Sequence, residues 1–242
     1  MLPGMPGPLV AVLRSRTLVA AGIAELVFEL RAPPRLDFKA GQFVSIAVTD
    51  ANGAALPRRS YSIASQSSEP ERLRFIIRVI AGGAASDHLM TLALGDELAL
   101  TGPYGFFVLD AAHAGDVVFG ATGTGMAAVM PMLGELAARP EPGRCFVHWG
   151  ARHEEDLFAR AEIEALAARA RATLAIHLTA PGPAWTGARG RITSAILDAL
   201  PGLSAPTFYL VGNGAMITEL KGALVARGVN RKAQIRTEAF FD

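Results

Sequence analysis

The 242-residue sequence predicts two domains, an antiparallel β-barrel followed by an α/β domain with a doubly wound parallel sheet. Three observations carry that expectation. The first part of the chain is a series of short, often alternating apolar runs separated by Gly, Pro, Asp and Asn, which is the pattern of a small barrel or sandwich. From about Asp116 the rhythm changes to buried strands alternating with helices, the pattern of a parallel sheet covered on both faces. The length itself lies between one large domain and two of ordinary size.

Taken in order, strands are expected at Leu9–Leu13, Ala24–Leu30, Gln42–Val48, Arg59–Ala64, Leu73–Val79 and Glu97–Thr101, with a helix-like stretch at Asp87–Leu94. The boundary is placed in Leu109–Gly115, giving domains of residues 1–110 and 111–242. Beyond it, Val117–Gly120, Cys145–Gly150, Thr173–Thr179 and Thr207–Val211 read as strands. Met126–Ala138, Glu154–Arg171, Ile192–Leu200 and Ala215–Arg227 read as the helices between and after them. Ala159–Ala175 is alanine-rich, which suits an exposed helix.

Composition narrows the function classes. A formal charge of +1 gives no electrostatic case for nucleic acid. Residues 117–134 carry no charge and reach the length of a membrane span, but Thr122-Gly123-Thr124-Gly125 breaks a lone helix and Pro131 interrupts it again. No membrane span is therefore expected. No basic segment followed by an apolar run opens the chain, so a cytoplasmic protein is expected. Cys145 is the only cysteine, which excludes an internal disulfide and an iron–sulfur cluster held by this chain, since clusters need about four thiolates. His88, His113, His148, His153 and His177 show no metal-ligand spacing, and no G-x-S-x-G elbow is present. Neither a metal site nor a serine hydrolase is expected.

The most informative run is Arg59-Ser60-Tyr61-Ser62-Ile63-Ala64-Ser65. On a strand it sends Arg59, Tyr61 and Ile63 to one face and Ser60, Ser62 and Ala64 to the other. A guanidinium fork suits a pyrophosphate, an aromatic face suits a heterocycle, and a small hydroxyl suits a ring nitrogen or carbonyl. The same run also reads as an ordinary strand with solvated arginines. It resembles the flavin-binding signature R-x-Y-S/T-x-x-S/T of the ferredoxin–NADP reductase superfamily.

Further segments follow in that superfamily's order. Gly82-Gly83-Ala84-Ala85-Ser86 leads from a strand into a helix, where free N–H groups and the helix dipole favour an anion. Ser86 is also a plausible N-cap, and Gly83 and Ser86 match the superfamily's G-x-x-S turn. Gly102-Pro103-Tyr104-Gly105 resembles its G-P-F/Y-G segment, though it also reads as a domain-closing turn. Gly120-Ala121-Thr122-Gly123-Thr124-Gly125 opens the α/β half as the G-T-G-x-x-P nucleotide loop does, with Ala128 where proline is expected. Arg152 leaves a buried strand at the edge where open sheets bind ligands, and an ion pair with Glu154, Glu155 or Asp156 is the alternative. Trp185-Thr186-Gly187-Ala188-Arg189-Gly190-Arg191 resembles the W-x-G-x-x-G segment. Val211-Gly212-Asn213-Gly214-Ala215-Met216 matches C-G-x-x-x-M except that Val211 replaces the cysteine. Glu238-Ala239-Phe240 resembles the terminal E-x-Y, with Phe for Tyr.

The resemblance implies an FAD-binding barrel followed by an NAD(P)-binding domain, with hydride passing between nicotinamide and flavin. It places Arg59, Ser60, Tyr61, Ser62, Arg78, Gly83, Ala84, Ala85 and Ser86 on FAD. It places Thr122, Gly123, Thr124, Gly125, Arg152, Arg189, Arg191, Gly212 and Met216 on the dinucleotide. Tyr61 and Phe240 would sandwich the flavin ring, and Ser62, Glu238 and Phe240 would form the catalytic set. NADP(H) is expected over NAD(H), because Arg152 and Arg191 could converge on a 2′-phosphate and no acid follows Gly150 directly; against this, Thr179-Ala180 lacks a further arginine. With no second redox centre in the chain, the electrons are expected to leave to a separate ferredoxin or flavodoxin, including the ferredoxin of an oxygenase system. An NADH-dependent reductase component of an oxygenase system, a free-flavin reductase and a non-catalytic flavin-bearing subunit are the alternatives.

Overall fold

The computed structural model describes residues 8–240 except 51, 112–113 and 141–142; His113 of the sequence reading, and part of the expected domain boundary, lie outside the described residues. The chain divides into two compact units between Val108 and Leu109.

In the first unit β1 (Leu9–Ala20) and β2 (Ile23–Ala32) form a long antiparallel hairpin with three register shifts, which twist and bend it. There follow β3 (Phe43–Thr49), β4 (Ala55–Ser62), β5 (Arg72–Arg78), α1 (Ala84–Thr91) and β6 (Glu97–Tyr104), in the sheet order β4-β3-β6-β1-β2-β5. Beyond β4 the chain crosses to the other end of that order. The Ala64 N–H donates to the Arg74 carbonyl at 2.8 Å, and the Ser65 hydroxyl donates to the Arg72 carbonyl at 3.0 Å, so β4's extension meets β5 and the sheet closes into a barrel. Leu13, Leu26, Phe28, Val44, Ile46, Ile63 and Phe75 fill it.

All six expected strands are present, with shifted ends. β1 continues past Leu13 to Ala20, because pairing with β2 carries its polar residues Arg14 to Thr17. β4 spans Ala55–Ser62 rather than Arg59–Ala64, since Ile63 and Ala64 turn away into the core. The helix expected at Asp87–Leu94 starts three residues earlier, and its N-cap is Gly83, not Ser86. Ser86 Oγ instead accepts the Ile80 N–H at 3.0 Å, closing the loop between β5 and α1.

The second unit contains β7 (Val117–Thr122), α2 (Met126–Ala137), β8 (Cys145–Ala151), α3 (Arg160–Arg169), β9 (Ala172–Leu178), β10 (Ala188–Arg189), α4 (Ile192–Ala199), β11 (Thr207–Asn213), α5 (Gly214–Ala226), α6 (Arg231–Gln234) and β12 (Ile235–Phe240). All pairings are parallel, in the order β10-β9-β8-β7-β11-β12. The chain moves outward from β7 through β8 and β9 and then returns to β11 on β7's other side. The topological switch point lies between β7 and β11. No helix among the described residues is long and apolar enough to cross a membrane.

The helix expected at Met126–Ala138 is present as α2 and runs through Pro131; with Met126 to Leu133 all buried, packing outweighs one lost backbone bond. Two expectations need correction here. The single helix expected over Glu154–Arg171 is a 3-10 turn at Glu154–Asp156 and then α3. Phe158 breaks it by inserting edge-on against Trp149, with ring centroids 5.3 Å apart, and Ala159 takes a left-handed φ of 44° to let the chain re-enter a helix. Finally, β10, α6 and β12 had no counterpart in the sequence reading. β12 shows no strict apolar alternation, with Arg236, Thr237 and Glu238 in succession, because it is an edge strand, paired with β11 alone.

Two of the histidines pair: His148 Nδ1 lies 3.1 Å from His177 Nε2 across the middle of the sheet. Burial, and secondly the neighbouring His177, lower His148 to about 4. Between roughly pH 6.5 and that value the unfolded chain binds a proton that the folded one refuses, so stability falls as pH drops through this window and is fully present above it. The expected loss is about 3 kcal/mol at most. Urea unfolding at a series of pH values measures it. An unchanged pH slope after His148→Asn would refute the assignment to this pair.

Candidate functional site

On the barrel, pairing fixes the faces of the Arg59–Ser62 run. Tyr61 lies opposite Val44 and Arg59 opposite Ile46, whereas Ser62 lies opposite Phe43 and Ser60 opposite Ser45. Cross-strand partners share a face, so Arg59 and Tyr61 form one set and Ser60 and Ser62 the other, as the alternation requires. Tyr61 is half-buried and its ring stands 6.4 Å from Phe75. Burial chiefly raises its pKa, so its phenol stays protonated and able to donate. Arg59 is exposed. Its Nη1 donates to the Pro57 and Arg58 carbonyls at 3.1 and 3.2 Å, which leaves Nε and Nη2 for a ligand. The adjacent Arg58 is committed to the barrel through Ser45 and Thr101.

Helix α1 reaches the same hairpin, with His88 Nδ1 3.1 Å from Thr49 Oγ1, and Thr49 pairs with Ala55 at the start of β4. Gly83 donates to the Ile80 carbonyl and accepts from Asp87, so its own polar groups are engaged. Ala84, Ala85 and Ser86 form the first turn, and no side chain caps their N–H groups. A guanidinium, an uncapped helix N-terminus and a half-buried aromatic make a donor set that fits a flavin dinucleotide. Arg78 ends β5, exposed, just before this turn. At the end of β6, Tyr104 packs on Phe43 with centroids 5.9 Å apart; beyond it Phe107 is buried and Phe106 is 93% exposed.

In the second unit, the remaining residues lie along one edge of the sheet, the C-terminal ends of its parallel strands. Gly123, Thr124 and Gly125 form a 3-10 turn between β7 and α2. Beside it, β11 ends in Gly212 and Asn213, and the Asn213 side chain caps α5 by accepting the Met216 N–H at 2.9 Å. Next comes β12, where Glu238 pairs with Val211 and Phe240 with Asn213. On the other side, Arg152 follows β8, the Ala180 N–H donates to its carbonyl at 2.8 Å, and the Gly190 N–H donates to Leu178 at 2.8 Å. The sheet thus aligns Gly123–Gly125, Gly212, Met216, Glu238 and Phe240 around the switch point, with Arg152, Arg189 and Arg191 towards the β10 edge.

The three cations differ in availability. The expected alternative, an ion pair between Arg152 and its acidic neighbours, is not formed: Glu154 accepts the Gly182 N–H at 3.0 Å and Asp156 the His153 N–H at 3.0 Å. Arg152 is exposed and has no side-chain partner among the described residues. Arg189 Nη2 donates to the Gly182 and Trp185 carbonyls at 3.2 and 3.1 Å, bracing its own loop. Arg191 is 77% exposed and only 3.6 Å from Glu219, a weak contact. Glycine-turn N–H groups with two accessible guanidinium groups fit a dinucleotide. The sequence reading gave no role to Trp149, whose indole N–H donates to the Gly123 carbonyl at 3.1 Å; a tryptophan closing a strand beside the loop was the available signal.

Residues 10–109 match the oxidoreductase FAD-binding domain family and residues 119–221 the oxidoreductase NAD-binding domain family. Ferredoxin–NADP reductase B of Sorangium cellulosum is 32% identical over 213 residues, covering 85% of this chain and 86% of that protein. The chain belongs to the ferredoxin–NADP reductase superfamily. The ferredoxin–NAD(+) reductase component of the alkene monooxygenase system of Xanthobacter autotrophicus is a second relative of this superfamily member, 32% identical over 227 residues. It covers 93% of this chain, and the chain spans 66% of that component. The crystal structure of the Amycolatopsis cytochrome P450 reductase GcoB superposes with a TM-score of 0.84 at 27% identity, over 97% of this chain and 70% of that one. As a member of the superfamily the protein is an oxidoreductase that uses FAD and NAD(P)H.

Proposed function

We propose that the protein reduces its FAD with NADPH, in preference to NADH, and passes single electrons to a separate ferredoxin or flavodoxin. One observation carries the reading: a single chain joins a barrel with an uncapped helix N-terminus and a free-ended Arg59 to a parallel sheet whose switch point is lined by a glycine turn. When bound, FAD supplies the exchange between a two-electron hydride and single electrons. The chain's own residues bind and orient. Arg59 and the N–H groups of Ala84, Ala85 and Ser86 hold the flavin's diphosphate, with Arg78 nearby and Gly83 shaping the turn. Ser60 and Ser62 supply hydroxyls on the strand's other face. On the barrel Tyr61 would pack on the flavin ring and Ser62 would offer its hydroxyl to it; in the second unit Glu238 and Phe240 would serve the nicotinamide and the hydride transfer.

On the dinucleotide, the Gly123–Gly125 turn takes the diphosphate, Gly212 and Met216 border the nicotinamide, and Arg152 and Arg191 take the 2′-phosphate, while Arg189 fixes the loop that carries Arg191. The Xanthobacter relative is named as acting in an oxygenase system, so the reductase component of such a system is the same chemistry with a different carrier. The test is anaerobic reduction of the bound flavin by each nucleotide. Bleaching by NADPH at a higher kcat/KM than by NADH is expected. Removing both cations as Arg152→Ala and Arg191→Ala should cut that preference by about tenfold, less than two fully formed charge-assisted bonds would supply because both groups are exposed. Equal or better efficiency with NADH refutes the preference, and no bleaching with either nucleotide refutes the catalytic reading.

A further inference from the structure

Two side chains tie the Gly123–Gly125 turn to its neighbouring strands from opposite flanks. Trp149, fully buried at the end of β8, sends its indole N–H to the Gly123 carbonyl at 3.1 Å. The same carbonyl also accepts the Met126 N–H. Phe158 meets the indole edge-on at 70°, which holds the ring in place. A trans peptide points its C=O and the next residue's N–H in opposite directions. Drawing the Gly123 carbonyl inward therefore turns the Thr124 N–H outward. A Cβ on Gly123 would meet nothing within 4 Å, so that side of the turn is open. On the other flank, Thr122 Oγ1 accepts the Asn213 N–H at 2.8 Å and joins the end of β7 to the end of β11.

We propose that Trp149 and Thr122 are positioning residues which preset this turn for the dinucleotide's diphosphate: Trp149 fixes the peptide plane between Gly123 and Thr124, and Thr122 fixes the turn's entry against β11. The indole N–H is engaged inside the protein and the Thr122 oxygen accepts from Asn213, so both act through the turn; Thr122, expected on the dinucleotide itself from the sequence, is here given the role of holding the loop that binds it. The inference rests on the reading of this turn as a phosphate site. Pre-organisation of this kind lowers the cost of ordering donors when the ligand arrives.

The test compares FAD-loaded variants for NADP+ and for 2′-AMP, which keeps the adenosine and 2′-phosphate but has no diphosphate. Trp149→Phe keeps an aromatic ring beside Phe158 but loses the indole N–H together with part of the bicycle, so its melting temperature is measured alongside to separate the packing loss from the lost hydrogen bond. Thr122→Val loses the acceptor at constant size, and Thr122→Ser restores it. NADP+ dissociation constants should rise roughly three- to tenfold in Trp149→Phe and Thr122→Val, the worth of one neutral hydrogen bond. Thr122→Ser should match wild type, 2′-AMP affinity should not change, and the KM for NADPH should rise with kcat held. Gly123→Ala, which places a methyl group on the open side and strains a residue at φ +53°, disturbs the turn both sterically and through its backbone and serves as the reference for the site itself. Unchanged NADP+ affinity in Gly123→Ala would overturn the phosphate reading. Loss in Gly123→Ala without loss in Trp149→Phe and Thr122→Val, or an equal loss for 2′-AMP, would overturn the positioning role alone.

Discussion

Arg59→Ala protein is expected to lose most of its FAD on gel filtration and to rebind it roughly ten- to hundredfold more weakly than wild type. Arg59 Nη1 bonds only to carbonyls of its own strand, at Pro57 and Arg58, and the side chain is exposed, so the barrel does not depend on it. Its remaining donors would bond a diphosphate, and each charge-assisted bond is worth about 1.5–3 kcal/mol. Arg58 is the built-in control. Its guanidinium donates to Ser45 and Thr101 on β3 and β6, so Arg58→Ala should lower barrel stability while FAD affinity changes less. The ratio of flavin to protein absorbance and a fluorescence titration measure both variants. Full FAD occupancy and unchanged affinity in Arg59→Ala would remove the arginine from the cofactor site.

What could be read in advance follows from how local each signal is. The six barrel strands and the alternation after Asp116 were legible, because burial on one or both faces writes a period of two or an unbroken apolar run into the residues themselves. The side-chain commitments were not. Ser86 looks like a cap, yet its hydroxyl serves Ile80 six residues back, and only the path of the intervening loop decides between the two. Glu154 looks like Arg152's partner by adjacency but takes a backbone N–H at Gly182, on the loop after β9. Similarly, Glu238-Ala239-Phe240 stands out in the sequence as a motif but not as part of a strand, since an edge strand with one paired side needs no apolar alternation. Its position beside β11, which brings Glu238 and Phe240 to the switch point, is a tertiary fact.

Gly212→Ala is expected to destabilise the α/β unit by about 2–4 kcal/mol and with it to abolish productive nucleotide binding. Two costs combine at this position. Gly212 adopts a φ of +113°, which L side chains rarely take, and such backbone strain is worth about 1–3 kcal/mol. A Cβ there would also stand 2.4 Å from Thr122 Oγ1 and 2.6 Å from the Thr122 carbonyl oxygen. The second of these is backbone, so no rotamer change relieves it, and the shift that would relieve it breaks the Thr122 to Asn213 hydrogen bond at the head of the turn. Gly214, two residues on, separates these local causes from a general intolerance of the loop. It opens α5, a Cβ on it would meet nothing within 4 Å, and alanine there should be neutral or slightly stabilising. Thermal melts followed by the helical circular dichroism signal report mainly on the α/β unit, which among the described residues holds every helix but α1. If Gly212→Ala and Gly214→Ala melt together, the close approach of β11 to Thr122 does not constrain this edge of the sheet.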